Sequence, residues 1–280
     1  PSEAARFARA GRIVRALAAA PAMLASRDRL TAALEAPSVA ASLLVALGER
    51  ATKRSTPAME RALVVIADHE LNASSFAARV AAGAGADLYA CVEAALATLS
   101  GPRHGGACDR VEALFGELGE PADAVRVVRA RRARGDVLPG FGHPLYPAGD
   151  PRAAVLLEAA EQLAPRARGP RIARALEEAM ALAGGELPTV DLGLVALASA
   201  LGLPAGSAIT LFAVGRSAGW IAHAIEQAEQ GWQVRPRARY VGWSGANACA
   251  GPSSAPRDHR PHRPPGPPPP PARATPPPPR

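Results

Sequence analysis

Lysine is almost missing from this chain: Lys53 is the only one among 32 basic residues. Cysteine is nearly as scarce, and Cys91, Cys108 and Cys249 are too few for a disulfide framework and lack metal-ligand spacing. A reducing, cytoplasmic setting follows as the expectation. No apolar run has the length and charge-free character of a membrane span, and the Arg-rich opening lacks the apolar core of a signal peptide, so no membrane partner is expected. A zinc-protease helix is excluded as well, because His69-Glu70 has Ala73 where a second histidine is needed; no metal is expected. Strand-like alternation and internal repeats are also lacking, which leaves an almost wholly α-helical architecture.

The net charge of +7 suggests nucleic acid, but its distribution argues otherwise. After Gly251 five arginines face Asp258 alone, which leaves an ordinary excess for the first 250 residues. No nucleic-acid partner is expected. The dominance of arginine suits forked recognition of carboxylates and phosphates, although genomic base composition produces the same bias.

What is abundant is proline, 29 residues in all, and fourteen of them lie between Trp243 and Arg280. Residues 242–280 therefore read as a disordered or polyproline tail, either a ligand for small adaptor domains or a non-native end. Proline and glycine concentrate once more in Leu138-Pro139-Gly140-Phe141-Gly142-His143-Pro144 and on to Asp150-Pro151-Arg152. Glycines let the backbone approach a ligand, and prolines stiffen the chain around them. His143 precedes a proline and is pushed to extended backbone, which puts it on a loop. Asp150-Pro151 reads as an N-cap and first helical residue, so Arg152 lies in the opening turn of the next helix. His143 and Arg152 together suit one small anion; a surface loop with an incidental histidine is the alternative.

Along the chain, apolar spacing predicts helices from Ser2 to about Met23, from Asp28 to Leu47, and after a Thr56-Pro57 cap. More follow over 75–82, 87–99, 108–118 and 121–134, then over 150–163, 171–182, 192–201 and 207–230. His104 sits on a glycine-rich turn just before one of them, where the positive helix end favours the neutral imidazole and hydrogen-bond donation to an oxyanion. A polar loop histidine is the bland alternative. The arginines between Arg126 and Arg134 form either a solvated face or a phosphate-receiving one. Asp191, beside an apolar helix, is either a cap or a base. Arg216, Trp220 and His223 share a face of the long helix, and a guanidinium in so apolar a setting needs an anionic partner.

Four ordered stretches carry a resemblance. Ala67-Asp68-His69-Glu70-Leu71-Asn72-Ala73-Ser74, Gly101-Pro102-Arg103-His104-Gly105-Gly106-Ala107, the segment Gly140-Phe141-Gly142-His143 with Asp150-Pro151-Arg152, and Arg216-Ser217-Ala218-Gly219-Trp220-Ile221-Ala222-His223 resemble signature segments of citrate synthases. Val190-Asp191 and Arg235-Pro236-Arg237 fit the same pattern, and the match runs from about residue 56 to 241.

The resemblance implies a two-domain all-α fold. Residues 1–105 and 203–241 would form a large domain and 106–202 a small one. It implies a homodimer with active sites shared between chains, and condensation of acetyl-CoA with oxaloacetate. Asp191 would remove a methyl proton, His104 would hold the thioester oxygen, and His143 would polarise and protonate the oxaloacetate carbonyl. His69, Arg152 and Arg216 would bind substrate, and Arg235 would serve the neighbouring subunit. Leu138, Pro139, Gly140, Phe141 and Gly142 would lie against CoA; no cofactor is implied, acetyl-CoA being a substrate. The chain departs from the pattern at Pro144 and Pro147, and it looks short at the N-terminus. Alternatives are 2-methylcitrate synthesis from propionyl-CoA, or a catalytically weak paralogue that binds CoA or dicarboxylates for regulation.

Overall fold

Side-chain caps set six of the twelve helix starts among the described residues. The computed structural model describes residues 2–237, so the expected tail over 242–280 lies outside the described residues. Ser2 accepts from the backbone of Ala5 and opens α1, Glu3–Ala19, which tightens into a 3₁₀ turn, Ala20–Leu24, at Pro21. Where one helix is predicted over 28–47 there are two, α2 at Arg27–Glu35 and α3 at Val39–Ala46. The break lies at Pro37: Ala36 before it is extended, at φ −60° and ψ 145°, and Ser38 caps the second helix. The fourth helix, α4 at Ser55–Val65, starts one residue ahead of the predicted Thr56-Pro57 cap, and Arg54 at its N-cap offers no side-chain bond. There the Thr52 and Ser55 hydroxyls close the preceding loop instead.

Next come α5, Ala73–Gly83, capped by Asn72, and α6, Leu88–Leu99, capped by Asp87. They are followed by α7 at Gly106–Glu117, a 3₁₀ turn at Pro121–Asp123 and α8 at Ala124–Ala133. The Asp150-Pro151 boundary is as predicted: Asp150 accepts from the backbone N–H of Arg152 at 3.0 Å and opens α9, Pro151–Leu163. The last three are α10 at Arg168–Leu182, α11 at Val190–Ala200 and α12 at Ser207–Gln230. Twelve α-helices and no strand occur among the described residues, with one isolated antiparallel bridge, Phe141 to Pro188. All the helices fall within a unit that ends at Arg235.

Two long apolar helices organise the packing. Eight of the eleven residues of α11 are buried, and it packs against α7, α9, α10 and α12. Each fully buried leucine there, Leu192, Leu194 and Leu197, contributes about 1.5 to 3 kcal/mol. Helix α12 packs against α1, α4, α5 and α6 and buries Leu211, Val214, Arg216, Trp220 and Ile221. Its 24 residues are, by length and mean hydropathy, enough to cross a membrane, which corrects the reading that no run reaches that length. More than half of its most apolar window is buried inside the protein, as in a core helix.

The approach of α11 to α9 depends on Gly193, where an added Cβ would lie 2.7 Å from Leu156 Cβ. Gly193→Ala is therefore expected to destabilise the protein by about 1 to 3 kcal/mol, as overpacking does. Urea denaturation of the variant beside wild type measures it, and an unchanged midpoint would mean that the two helices separate without cost.

Candidate active site

The loop at 138–150 is stitched to the segment before α11. Gly142 donates to the Leu187 carbonyl at 2.9 Å, Thr189 donates to that of Gly140 at 2.8 Å, and Asp150 to that of Pro188 at 3.4 Å. Gly140 has φ +84°, and an added Cβ would stand 3.0 Å from Val111, so glycine is required there on two counts. Beneath the loop, the Asp150 carboxylate has no exposed surface and is filled with donors. The backbone of Val190 donates to it at 3.1 Å, and Arg152 gives it Nε at 2.9 Å and one terminal nitrogen at 2.7 Å. Burial alone would raise this carboxyl, but the Arg152 hydrogen bonds and charge, with the backbone N–H donors of Arg152 and Val190, outweigh it and hold it below the usual aspartate range.

On this base stands a cluster of rings. His69 Nε2 and the Tyr146 hydroxyl are 2.7 Å apart, and the His69 and His143 rings meet edge to face at 5.6 Å. Tyr146 lies 5.1 Å from the His143 ring, and its own ring faces the Arg152 guanidinium at 5.5 Å. His69 lies in a short loop where the next residue, Glu70, has φ +51°, a rare conformation for a side-chain-bearing residue. Burial, followed by the charges of Arg152, Arg216 and His143, lowers the His69 pKa, so the ring is neutral at pH 7. His143 Nδ1 accepts from the backbone of Leu145 at 3.2 Å, which leaves Nε2 to carry the proton of the neutral ring.

The second half of the site is built by α12. Arg216 is 1% exposed, yet among the described residues its only side-chain hydrogen bond runs from Nε to the Ile66 carbonyl at 2.6 Å. One terminal nitrogen is buried with no partner, and the guanidinium carbon sits 4.7 Å over the Phe212 ring. Burial first, then the nearby Arg152 charge, lowers its pKa to about 10, so it remains a cation. The anionic partner that the sequence calls for is not among the described residues in contact with it. His104 presents its edge to the same Phe212 ring at 6.2 Å. Its pKa is also lowered, by burial first and then by Arg216; the predicted neutrality therefore has a cause other than the helix end.

Ser74 ties α5, α12 and the turn before α7 together here. Its hydroxyl accepts from Trp220 Nε1 at 3.0 Å and stands 2.8 Å from Asn72 Oδ1 and 2.9 Å from His104 Nε2. One hydroxyl proton serves two acceptors. When it goes to His104, the imidazole proton lies on Nδ1; when it goes to Asn72, His104 donates to Ser74 from Nε2. Asp191, in the first turn of α11, accepts from Cys108 Sγ and from Thr189 Oγ1, each at 3.3 Å. Asp191 and His143 line one cleft of about 290 Å³ with Arg110, Leu138, Pro139, Gly140, Phe141 and Gly142. His104 is outside that lining but close enough for the Asp191 charge to act on it.

Four expected residues, His69, His143, Arg152 and Tyr146-facing Arg152's neighbour Arg216, thus share one cationic region, whereas Arg235 is exposed in the coil after α12. His223, predicted on the Arg216 face, accepts from Arg79 at Nδ1 and reaches Asp68 from Nε2 at 3.2 Å, bracing the loop before His69. Of the arginine-rich α8, Arg126, Arg131 and Arg134 are paired with Asp123, Glu117 and Asp136 as in a solvated face. Sequence reasoning missed Ser74, Cys108, Tyr146 and Thr189. Ser74 and Tyr146 lie inside or beside quoted motifs, but nothing in their spacing marks them as partners.

Fold and site together define an all-helical protein with a cationic, histidine-rich cleft beside a carboxylate at a helix start. Residues 2–237 match the family model of the citrate synthase C-terminal domain. Citrate synthase 2 of Bacillus subtilis (strain 168) is 34% identical over 239 residues, 82% of this chain and 64% of its own length. The 2-methylcitrate synthase of Mycobacterium tuberculosis (strain ATCC 25618 / H37Rv) is 35% identical over 203 residues, 71% of this chain and 52% of that one. The structure of a ternary complex of carboxymethyl coenzyme A and oxaloacetate with citrate synthase from Thermoplasma acidophilum aligns with a TM-score of 0.73 at 32% identity, covering 87% of this chain and 68% of that one. The chain belongs to the citrate synthase family. It spans between about half and two thirds of the length of the curated relatives it matches.

Asp150 is the buried half of the ion pair beneath the site. Asp150→Asn should cost about 3 kcal/mol, the usual loss when one partner of a buried pair is removed. Because the folded-state carboxyl lies below its unfolded value, this advantage of wild type is full above the unfolded value and is lost as pH falls through the folded one. Urea denaturation of both proteins at a series of pH values should show their stabilities converging only in acid.

Proposed function

We propose that this protein is a citrate-synthase-type acyltransferase that condenses the acetyl group of acetyl-CoA with oxaloacetate, releasing citrate and CoA. The observation that carries this reading is the buried, partly unpartnered Arg216 beside Arg152, His69 and His143, a concentration of donors suited to a small dicarboxylate. The T. acidophilum complex, with its carboxymethyl coenzyme A and oxaloacetate, supports the same substrate classes.

In this reading Asp191 takes a proton from the methyl carbon while His104, with its proton on Nδ1, donates to the thioester oxygen as the enol forms. The enol carbon attacks the keto carbon of oxaloacetate. Nε2–H of His143 gives its proton to the keto oxygen, which becomes the citryl hydroxyl. Water then cleaves the citryl thioester, giving citrate and free thiol. His69, Arg152 and Arg216 hold the carboxylates; Arg152 does so with what its bond to Asp150 leaves free. The backbone from Leu138 to Gly142 receives CoA along the cleft wall. Residues 106–202 act as a small domain against 1–105 and 203–241, and Arg235 is lent to a second copy in a cytoplasmic homodimer.

A second reading, propionyl-CoA as the acyl donor, is favoured by the 35% identity to a 2-methylcitrate synthase. One methylene in an apolar pocket separates the two by only about 1 to 3 kcal/mol, so kcat/KM for the two thioesters decides between them.

Thiol release from acetyl-CoA is expected only when oxaloacetate is present. Asp191→Asn and His104→Ala should each lower turnover by about 10²- to 10⁴-fold, the range for general acid–base groups, with folding little changed. Ligand binding without thiol release by wild type would instead mark a regulatory, catalytically weak paralogue. A variant near the wild-type rate would remove that residue from the mechanism.

A further inference from the structure

Cys108 is the buried group that the scheme above leaves unused. It lies in the first turn of α7, is 1% exposed, and points its sulfur at Oδ1 of Asp191 at 3.3 Å. The other carboxylate oxygen of Asp191 receives the Thr189 hydroxyl at the same distance. We propose that Cys108 is a positioning residue for the acyl-transfer base: its thiol proton holds Asp191 in one rotamer, with its charge on the side open to the cleft. This inference rests on the acyltransferase reading and adds to it how the base is aimed.

Three observations argue for the role. Cys108 and Thr189 lie on different segments, one on α7 and one at the N-cap of α11, so the two donors fix the carboxylate plane from both ends. Burial, followed by the Asp191 charge, pushes the thiol well above its ordinary range, so it remains S–H and donates at neutral pH. A thiol is also a weak donor. It orients the carboxylate while withdrawing little of the electron density that must take up a methyl proton, whereas a hydroxyl or ammonium in its place would tame the base.

The charged and titratable groups around the pair are few. Asp109 and Glu112 act on Cys108 from α7, and His104 and Arg216 lie on the side of α12. Arg110 and His143 line the cleft with Asp191, and the Asp150–Arg152 pair lies below the start of α11.

The test uses the full chain with Cys108→Ala and Cys108→Ser. Removing the donor should lower kcat by about five- to tenfold, the effect of one lost hydrogen bond, with KM for oxaloacetate unchanged and the acidic limb of the kcat profile moved to higher pH. The serine variant, a stronger donor, should recover orientation but move that limb to lower pH. Opposite displacements by two variants at one position are not produced by a purely structural role. A fold-independent measurement accompanies them: the infrared S–H stretch of Cys108, isolated by subtracting the Cys108→Ser spectrum, should rise in frequency in Asp191→Asn, because a neutral amide is a weaker acceptor than a carboxylate. An S–H band indifferent to Asp191→Asn, or an active wild type whose pH profile both variants share, overturns the role of Cys108 alone. A wild type that releases no thiol overturns the acyltransferase reading, and the role of Cys108 with it.

Discussion

The Asp150 carboxylate is the constraint on which the site depends. It ends a proline-stiffened loop, caps α9, pairs with Arg152 in that helix's first turn, and accepts from the first residue of α11. One buried anion thereby fixes two helix starts and the loop between Gly140 and Gly149 in a common frame. Losing it would free three things at once: the Arg152 fork, the register of 138–150 on 186–190, and the height of Asp191 one residue beyond Val190. The ion pair contributes modestly as a pair, since desolvation of both charges offsets much of their attraction. Its value lies in what it aligns.

The rest of the site is arranged around a surplus of positive charge. Arg216 and Arg152 lower one another's neighbours: both act on His69, and Arg152 acts on Arg216. A protein at rest gains nothing from this repulsion. Arg216 meets only a carbonyl oxygen and the face of Phe212, and it leaves one nitrogen unpartnered in a place without water-exposed surface. Such a group costs stability until an anion arrives, which is the arrangement expected where binding energy is to be drawn from the substrate. The two neutral imidazoles follow from burial first and from the same surplus second, because a buried site near cations disfavours a further proton.

Much of this was legible in the sequence, and the reasons are local. The Asp150-Pro151 cap and the bounds of α12 follow from chemistry within a few residues, and those predictions hold. The single helix expected over 28–47 is two because Pro37 forces the residue before it out of the helix, which apolar spacing on either side does not register. The mutual arrangement of His69, His143, Arg152 and Arg216 came from family resemblance rather than from spacing: these residues lie on α9, α12 and two separate loops, and no periodicity joins them. Ser74, Tyr146 and Cys108 stayed hidden for a related reason. Each acts by touching a residue at least 30 positions away, or across a turn whose shape proline and glycine permit but do not announce.

The Ser74 hydroxyl shows how far function can rest on such a contact. Trp220 donates to one of its two lone pairs from α12, and its single proton is divided between Asn72, the cap of α5, and His104. Bonding to Asn72 reinforces a helix start and leaves His104 with its proton on the wrong nitrogen for donation outward. Bonding to His104 sets the Nδ1 tautomer, and Asn72 keeps the Ser75 backbone N–H as its capping partner. The cap therefore survives either choice. In the proposed reaction an oxyanion accepting the Nδ1 proton would favour that tautomer, so the imidazole would become a donor when there is something for it to donate to.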